Sequence, residues 1–209
     1  LPIDIAPQVH VRPPGFCTGC PERPIFAAMK LVERELGPHH VSADIGCHLF
    51  SILPPFNLGN TTMGYGLGGA GAAALNAKGS ARRAISVMGD GGFWHNGLTS
   101  GVANAVFNKS DNLTLIIDNS YTSATGGQDV LSSKAANPSR STGHAIEKAV
   151  RGVGVEQVRI VTRTYDLAAM KAALKEALTS KAAGPQVIVA QSECMLNRQR
   201  REKPLQRQA

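Results

Sequence analysis

Among the 209 residues there is no apolar run of about eighteen positions, so no membrane-spanning helix is expected and a membrane partner is excluded. The opening Leu1-Pro2-Ile3-Asp4 lacks the basic stretch and apolar core of a secretory leader. A cytoplasmic location is therefore expected, and a disulfide framework is disfavoured. The sequence does not begin with Met and reads as a fragment or a processed product. Acidic residues are outnumbered, giving a formal charge of +7, but much of that excess sits in Arg198-Gln199-Arg200-Arg201-Glu202-Lys203. No aromatic interleaves with these charges, so a nucleic-acid platform is disfavoured and the segment reads as a solvated linker or tail. No internal repeat and no second domain boundary is visible.

What is present suits a close-packed α/β domain: 43% apolar residues, and enough chain for a full core. We divide it into an extended, proline-rich arm (1–14), one domain (15–197) and the basic tail (198–209). Ile25, Ala28, Met29, Val32 and Leu36 repeat at helical spacing, with Pro24 in the first turn and Gly37-Pro38 as the stop. Val41 to Ile45 is a short strand. Thr62 to Asn76 is rich in Gly and Ala and is expected to be a buried helix whose small residues permit close packing. Residues 84–88 and 113–118 are strands flanking a helix near 95–107, a βαβ unit with a right-handed crossover. Residues 144–152 form a helix and Val158 to Thr162 a strand. Asp166 caps a helix carrying Leu167, Met170, Leu174 and Leu178 on one face, and Val187 to Val189 is the last strand. The expected class is a doubly wound, mostly parallel sheet with helices on both faces.

The strongest signal lies at two strand ends. Ala84 to Met88 runs into Gly89-Asp90-Gly91, and Leu113 to Ile117 runs into Asp118-Asn119. Side chains at the carboxyl ends of neighbouring parallel strands point into the crevice where such sheets bind ligands. A carboxylate, an amide oxygen and a nearby carbonyl form a hard oxygen set suited to a small divalent cation that keeps sites free for phosphate. The glycines allow close backbone approach, and the following helix offers its N-terminus to an anion. Gly-Asp-Gly alone is ordinary turn chemistry. The second polar strand end, 26 residues later, favours cofactor binding.

The four cysteines are the second signal. Cys17 and Cys20 form a C-x-x-C between Pro14 and Pro21, Cys47 follows Asp44-Ile45-Gly46, and Cys194 follows the last strand. No strand leads into the C-x-x-C, which removes a thioredoxin-like reading. A structural zinc and an iron–sulfur cluster both remain open on spacing, beside four unrelated buried thiols. The place of Cys47 beside the crevice favours a functional cluster.

Together these segments carry a family resemblance. Cys17-Thr18-Gly19-Cys20-Pro21-Glu22-Arg23-Pro24, Asp44-Ile45-Gly46-Cys47, Gly89-Asp90-Gly91-Gly92-Phe93-Trp94-His95-Asn96-Gly97 and Ser123-Ala124-Thr125-Gly126-Gly127-Gln128 occur in one order. That order resembles the thiamine-diphosphate domain of 2-oxoacid:ferredoxin oxidoreductases. Within that family it looks most like the indolepyruvate branch (large subunit, C-terminal part), over roughly residues 12–196. The resemblance implies thiamine diphosphate, Mg²⁺ held by Asp90, Asn119 and the Tyr121 carbonyl, and a [4Fe–4S] cluster on Cys17, Cys20, Cys47 and Cys194. Cys194 is matched by order and approximate distance only. Cofactor contacts are expected from Gly46, Cys47, His48, Met63, Gly64, Gly89, Asp90, Gly91, Gly92, Asn119, Tyr121 and Ser123. His48 and His95 are candidates for proton transfer or diphosphate contact, with capping or packing as the plain alternative; Phe93 and Trp94 read as core or pocket wall.

The implied activity is oxidative decarboxylation of a 2-oxo acid to an acyl-CoA, with electrons leaving through the cluster to ferredoxin. Pyruvate-specific relatives carry Asn where this chain has Ala124, which is consistent with a bulkier aryl pyruvate. No glutamate lies in a motif matching the one that engages the cofactor's aminopyrimidine. The family supplies it from a pyrimidine-binding domain in the same polypeptide or another subunit, so a hetero- or homo-oligomer is implied. The alternatives are a non-oxidative thiamine decarboxylase or ligase, against which the cysteines argue, and a zinc-stabilised basic binding module, which leaves the two strand-end motifs without a use.

Overall fold

The apolar runs pair side by side as one parallel sheet. The computed structural model describes residues 13–76, 82–135 and 137–202; most of the arm and the end of the tail lie outside them. Among the described residues the strands are β1 (Val41–Ala43), β2 (Thr61–Thr62), β3 (Ile85–Gly89), β4 (Leu113–Asp118), β5 (Gln157–Val161) and β6 (Gln186–Gln191). Their order is β2-β1-β3-β4-β6-β5, and every pairing is parallel. The helices are α1 (Glu22–Leu36), α2 (Gly68–Leu75), α3 (residues 90–107), α4 (Ile146–Gly152), α5 (Leu167–Thr179) and α6 (Met195–Glu202).

Alternation along the strands produces the two faces. Leu113, Leu115 and Ile117 of β4, with Ile188 and Ala190 of β6, share one core with Ile25, Met29 and Val32 of α1 and with Met170 and Leu174 of α5. Ile116, Val187 and Val189 face the other way, onto Phe93 and Val102 of α3 and Ile146 and Val150 of α4. Burial on both faces is what a central parallel strand requires, and the sheet is doubly wound. Phe93 is core, and Trp94 stacks edge-on against it at 4.8 Å while donating to Ser132 Oγ at 3.0 Å.

Three local expectations change. The Gly/Ala-rich stretch is helical only from Gly68; Thr61–Thr62 instead pairs with β1 as an edge strand, because the chain must first run parallel to β1 before it can turn back. Within α2 the small residues do permit close packing: a Cβ on Gly69 would lie 2.8 Å from Gly101 Cα of α3. The helix near 95–107 starts earlier, at Asp90, and its Phe93–Ala103 segment is π-helical; such wide turns cluster at functional sites. The boundary drawn at 197/198 falls inside α6, so residues 198–202 are helical. The Asp166 cap forms as expected, its Oδ1 accepting from Ala169 N–H at 2.9 Å, although Leu167 is exposed while Met170, Leu174 and Leu178 are buried.

One buried cation holds the edge of the fold opposite the crevice. Arg83 sends Nη1 to the carbonyl oxygens of Ala177, Leu178 and Ser180 at 3.0, 3.3 and 2.7 Å, Nη2 to that of Ala182 at 3.1 Å, and Nε to Asp111 Oδ1 at 2.8 Å. The Ala177, Leu178 and Ser180 oxygens are carbonyls of the last turn and cap of α5, with Ala182 just beyond, and a cation suits that end of the dipole. Arg83→Ala is expected to cost about 3 kcal/mol in urea unfolding, because several buried acceptors lose their donor together. Asp111→Ala, at a half-exposed partner, is expected to cost less than about 1 kcal/mol. Equal losses from the two variants would show that the ion pair, not the carbonyl cap, carries the effect.

Candidate functional site

The carboxyl ends of β1, β3, β4 and β6 open at one edge of the sheet, and the polar loops after them meet there. The crevice at that edge is walled by Gly46 and His48 after β1, Gly89 to Gly92 after β3, and Asn119 and Tyr121 to Thr125 after β4. Asp90 is 2% exposed. Its Oδ1 accepts from Gly91 N–H at 2.8 Å and its Oδ2 from Tyr121 N–H at 3.0 Å. Asn119 Oδ1 accepts from the same Tyr121 N–H at 3.2 Å, so the two oxygens that close adjacent strands converge. Between them Ser120 sits at φ 63°, a left-handed conformation uncommon for a residue with a side chain. It turns the chain sharply enough to place Tyr121 beside Asp90.

Burial pushes the Asp90 carboxyl up to about 7, and the Asp118 carboxylate next to it adds to the rise. No Lys or Arg pairs with Asp90 among the described residues. A buried carboxylate, a converging amide oxygen and no protein counter-charge fit a small divalent cation; the oxygen-only donor set favours Mg²⁺. Behind the crevice, His48 Nε2 lies 2.6 Å from Asp44 Oδ1, and both side chains are buried. Burial works against the imidazolium, but Asp44 and then Glu22 outweigh it, and the His48 pKa is raised. Asp44 Oδ2 also accepts from Gly66 N–H at 2.8 Å, where φ is +76° and a Cβ would strike the Gly92 carbonyl oxygen at 2.6 Å. The end of β1 thus pins the loop before α2 against the start of α3.

All four cysteines line a second cavity of about 140 Å³. One water needs only about 10–15 Å³, so the space exceeds that of a single ion several-fold. Among the described residues no group of three or more His, Cys, Asp or Glu is drawn together tightly enough to hold one metal ion. Four thiols around one volume offer the soft donor set that an iron–sulfur cluster takes. Burial, and then the neighbouring Glu22, push the Cys20 and Cys47 thiols up to about 12, so bare thiolates are disfavoured there and the cationic iron of a cluster would offset that cost. Glu22, Cys47, Asn119 and Ser123 line both the crevice and this cavity. A single layer of side chains therefore separates the two sites.

Of the residues expected to contact a cofactor, Gly46, Cys47, His48, Gly89, Asp90, Gly91, Gly92, Asn119, Tyr121 and Ser123 come together as crevice wall. Met63, Gly64 and His95 lie outside that wall. Met63 is exposed and extends β2 through a bond from its N–H to the Ala43 carbonyl oxygen; His95 is exposed and packs against Tyr65, the ring centroids 5.1 Å apart and the planes tilted by 45°. Sequence reading assigned no role to Glu22, Asp44, Tyr65 or Thr122. Asp44 had a signal, since it stands just past β1 as Asp90 stands just past β3. Glu22 lay inside a motif already singled out, but only the folded chain shows it 3% exposed, its Oε1 accepting from Asn119 at 3.5 Å and its Oε2 without a partner. Burial pushes its carboxyl up to about 7.

Comparison with known proteins supplies the class. Residues 44–190 match the family described as thiamine pyrophosphate enzyme, C-terminal TPP binding domain, and the chain belongs to that family. Thiamine pyrophosphate is thiamine diphosphate under its older name. Among curated relatives, "Indolepyruvate oxidoreductase subunit IorA" of Archaeoglobus fulgidus is 34% identical over 201 residues, covering 92% of this chain and 30% of that protein. The protein of the same name from Pyrococcus horikoshii is 32% identical over 216 residues, covering 91% and 31%. The chain thus spans about 30% of the length of the curated relatives it matches. In fold it is similar to the "2-oxoglutarate:ferredoxin oxidoreductase from Magnetococcus marinus with 2-oxoglutarate, coenzyme A and succinyl-CoA bound", with a TM-score of 0.70 over 88% of this chain and 66% of that one at 18% identity.

Proposed function

We propose that this chain is the diphosphate-binding and cluster-bearing part of a 2-oxoacid:ferredoxin oxidoreductase. In this reading it oxidises an aryl pyruvate such as indolepyruvate to the acyl-CoA, and electrons pass through a [4Fe–4S] cluster to ferredoxin. The observation that carries it is the shared wall: a cofactor crevice and a four-cysteine cavity lie one side chain apart. A non-oxidative thiamine enzyme has no use for that second cavity. The names of the curated relatives support the substrate, and small Ala124 at the crevice lip leaves room for a bulky one.

Bound thiamine diphosphate supplies the electron sink for decarboxylation, and Mg²⁺ would anchor its diphosphate. The chain's own contribution is placement. Asp90, Asn119 and the Tyr121 carbonyl would hold the cation, and the glycines at 89, 91 and 92 let the backbone come close to an anion at the start of α3. His48, held by Asp44, presents a charged or proton-donating ring to the crevice. Cys17, Cys20, Cys47 and Cys194 would hold the cluster. A pyrimidine-binding domain from elsewhere in the polypeptide or from another subunit would complete the cofactor site.

The test is made on anaerobically purified holoenzyme. Broad visible absorbance, about four irons per chain, and aryl-pyruvate- and CoA-dependent reduction of ferredoxin are expected. An iron-free protein, or one that decarboxylates without reducing ferredoxin, would overturn the reading. A pH dependence follows from Asp90. The cation binds only the ionised carboxylate, so proton and cation compete. Since that carboxyl titrates at about 7, Mg²⁺-dependent cofactor affinity should be flat above that pH and fall about tenfold per unit below it. Calorimetry between pH 5.5 and 8.5 reads this directly, and an affinity unchanged across that range would remove Asp90 from the cation's ligands.

A further inference from the structure

Ser123 touches both sites at once. It stands in the wall shared by the crevice and the cysteine cavity. Its Oγ–H is placed to donate to Cys194 Sγ at 2.9 Å, across 71 positions of sequence, and to the Tyr121 carbonyl oxygen at 3.3 Å. A hydroxyl carries one proton, so the two acceptors compete for it. The backbone supports the same junction: Cys194 N–H donates to the Asn119 carbonyl oxygen at 3.1 Å, and Ser192 N–H to that of Asp118 at 3.2 Å. The sulfur and the cation ligands therefore ride on two loops bonded to each other.

We propose that Ser123 is a positioning residue that couples cofactor loading to the cluster: a cation taken up at the Tyr121 carbonyl turns the Ser123 hydroxyl towards the Cys194 sulfur and raises the cluster's reduction potential. This rests on the reading of the four cysteines as cluster ligands. A carbonyl that gives electron density to a divalent cation is a poorer hydrogen-bond acceptor, so the competition shifts to sulfur. A ligating sulfur carries more negative charge once the cluster has taken an electron, and a hydrogen bond to it then stabilises the reduced state more than the oxidised one. The cluster takes one electron; the proton stays on the serine oxygen, and no other group is transferred. The consequence is order in time. The cluster becomes a better acceptor only when the cofactor that feeds it is in place.

The experiment is a redox titration of the holoenzyme, followed by electron paramagnetic resonance, with and without thiamine diphosphate and Mg²⁺. Iron and sulfide are counted first. In the wild type, loading should shift the one-electron reduction equilibrium about tenfold towards the reduced cluster, which is about 59 mV. Ser123→Ala should titrate lower and lose most of the loading-dependent shift, and Ser123→Thr, which keeps the hydroxyl, should restore it. Proton ENDOR should show an exchangeable proton coupled to the cluster, strengthened by loading and absent in Ser123→Ala. An iron-replete Ser123→Ala protein with the wild-type shift overturns this proposal and leaves the cluster reading intact. Wild-type protein without iron overturns both. Should Ser123→Ala not retain its iron, the wild type alone decides: a proton coupling that does not respond to loading overturns the proposal.

Discussion

Asp90→Ala should weaken Mg²⁺-dependent thiamine diphosphate binding by about 100-fold or more, about 3 kcal/mol, because it removes the only formal charge among the proposed cation ligands. Asn119→Ala should cost about tenfold, since a neutral oxygen is lost and water can replace it. Calorimetry of cofactor and Mg²⁺ on the holoenzyme measures both. The fold should survive the first change. Asp90 is a buried acid crowded by Asp118, so its removal relieves a repulsion, and Tyr121 N–H keeps Asn119 Oδ1 as an acceptor. A circular dichroism melt within a few degrees of the wild type, beside lost binding, is the expected pair of results. Undiminished affinity in Asp90→Ala would sink the cation site.

Cys47→Ser should remove or convert the proposed cluster and lower the proposed ferredoxin reduction by about 100-fold, because a hard oxygen replaces a soft thiolate at the wall between the two sites. Cys194→Ser should do the same. Its place was the weakest inference from sequence order, and the structure puts it in the cavity with the other three, buried and in contact with Ser123. Iron content and the visible spectrum are the readouts. If the spectrum survives Cys194→Ser, the fourth ligand is another group, and the junction between Ser123 and Cys194 has no redox meaning.

Much of the fold was legible because it is written in local pattern. The apolar run Leu113 to Asp118 marks its strand with the boundaries found, and the run from Ala84 to Met88 marks the strand ending at Gly89 to within a single residue. Buried parallel strands announce themselves as continuous apolar runs, and Asp166 announces a helix by the hydrogen bond its short side chain can make. The start of α2 was not legible, because Thr61–Thr62 has only two residues of strand and draws its pairing from β1, nineteen positions earlier. The site divides in the same way. Gly89-Asp90-Gly91 and Asp118-Asn119 could be placed together because a βαβ unit sets its two strands side by side. Glu22 and Asp44 carry no visible role in the sequence because an acid at a helix start or just past a strand is usually solvated, and nothing in the neighbouring residues shows that these two are enclosed.

By itself, then, the sequence determined the class of fold, the polar strand ends that wall the crevice, and the family to which those motifs belong. All of these follow from spacing along the chain and from side-chain type. The tertiary structure alone decided that the four cysteines surround one cavity, that this cavity and the crevice share Glu22, Cys47, Asn119 and Ser123, and that Ser123 reaches Cys194. The reason is the order of the sheet. β6 returns to lie between β4 and β5, bringing the loop after residue 191 beside the loop after residue 118. Helix α1 packs on α5 across the same face and carries the C-x-x-C turn towards that edge. Contacts between residues so far apart depend on which strands become neighbours, and that is settled by burying every apolar face at once rather than by any local pattern.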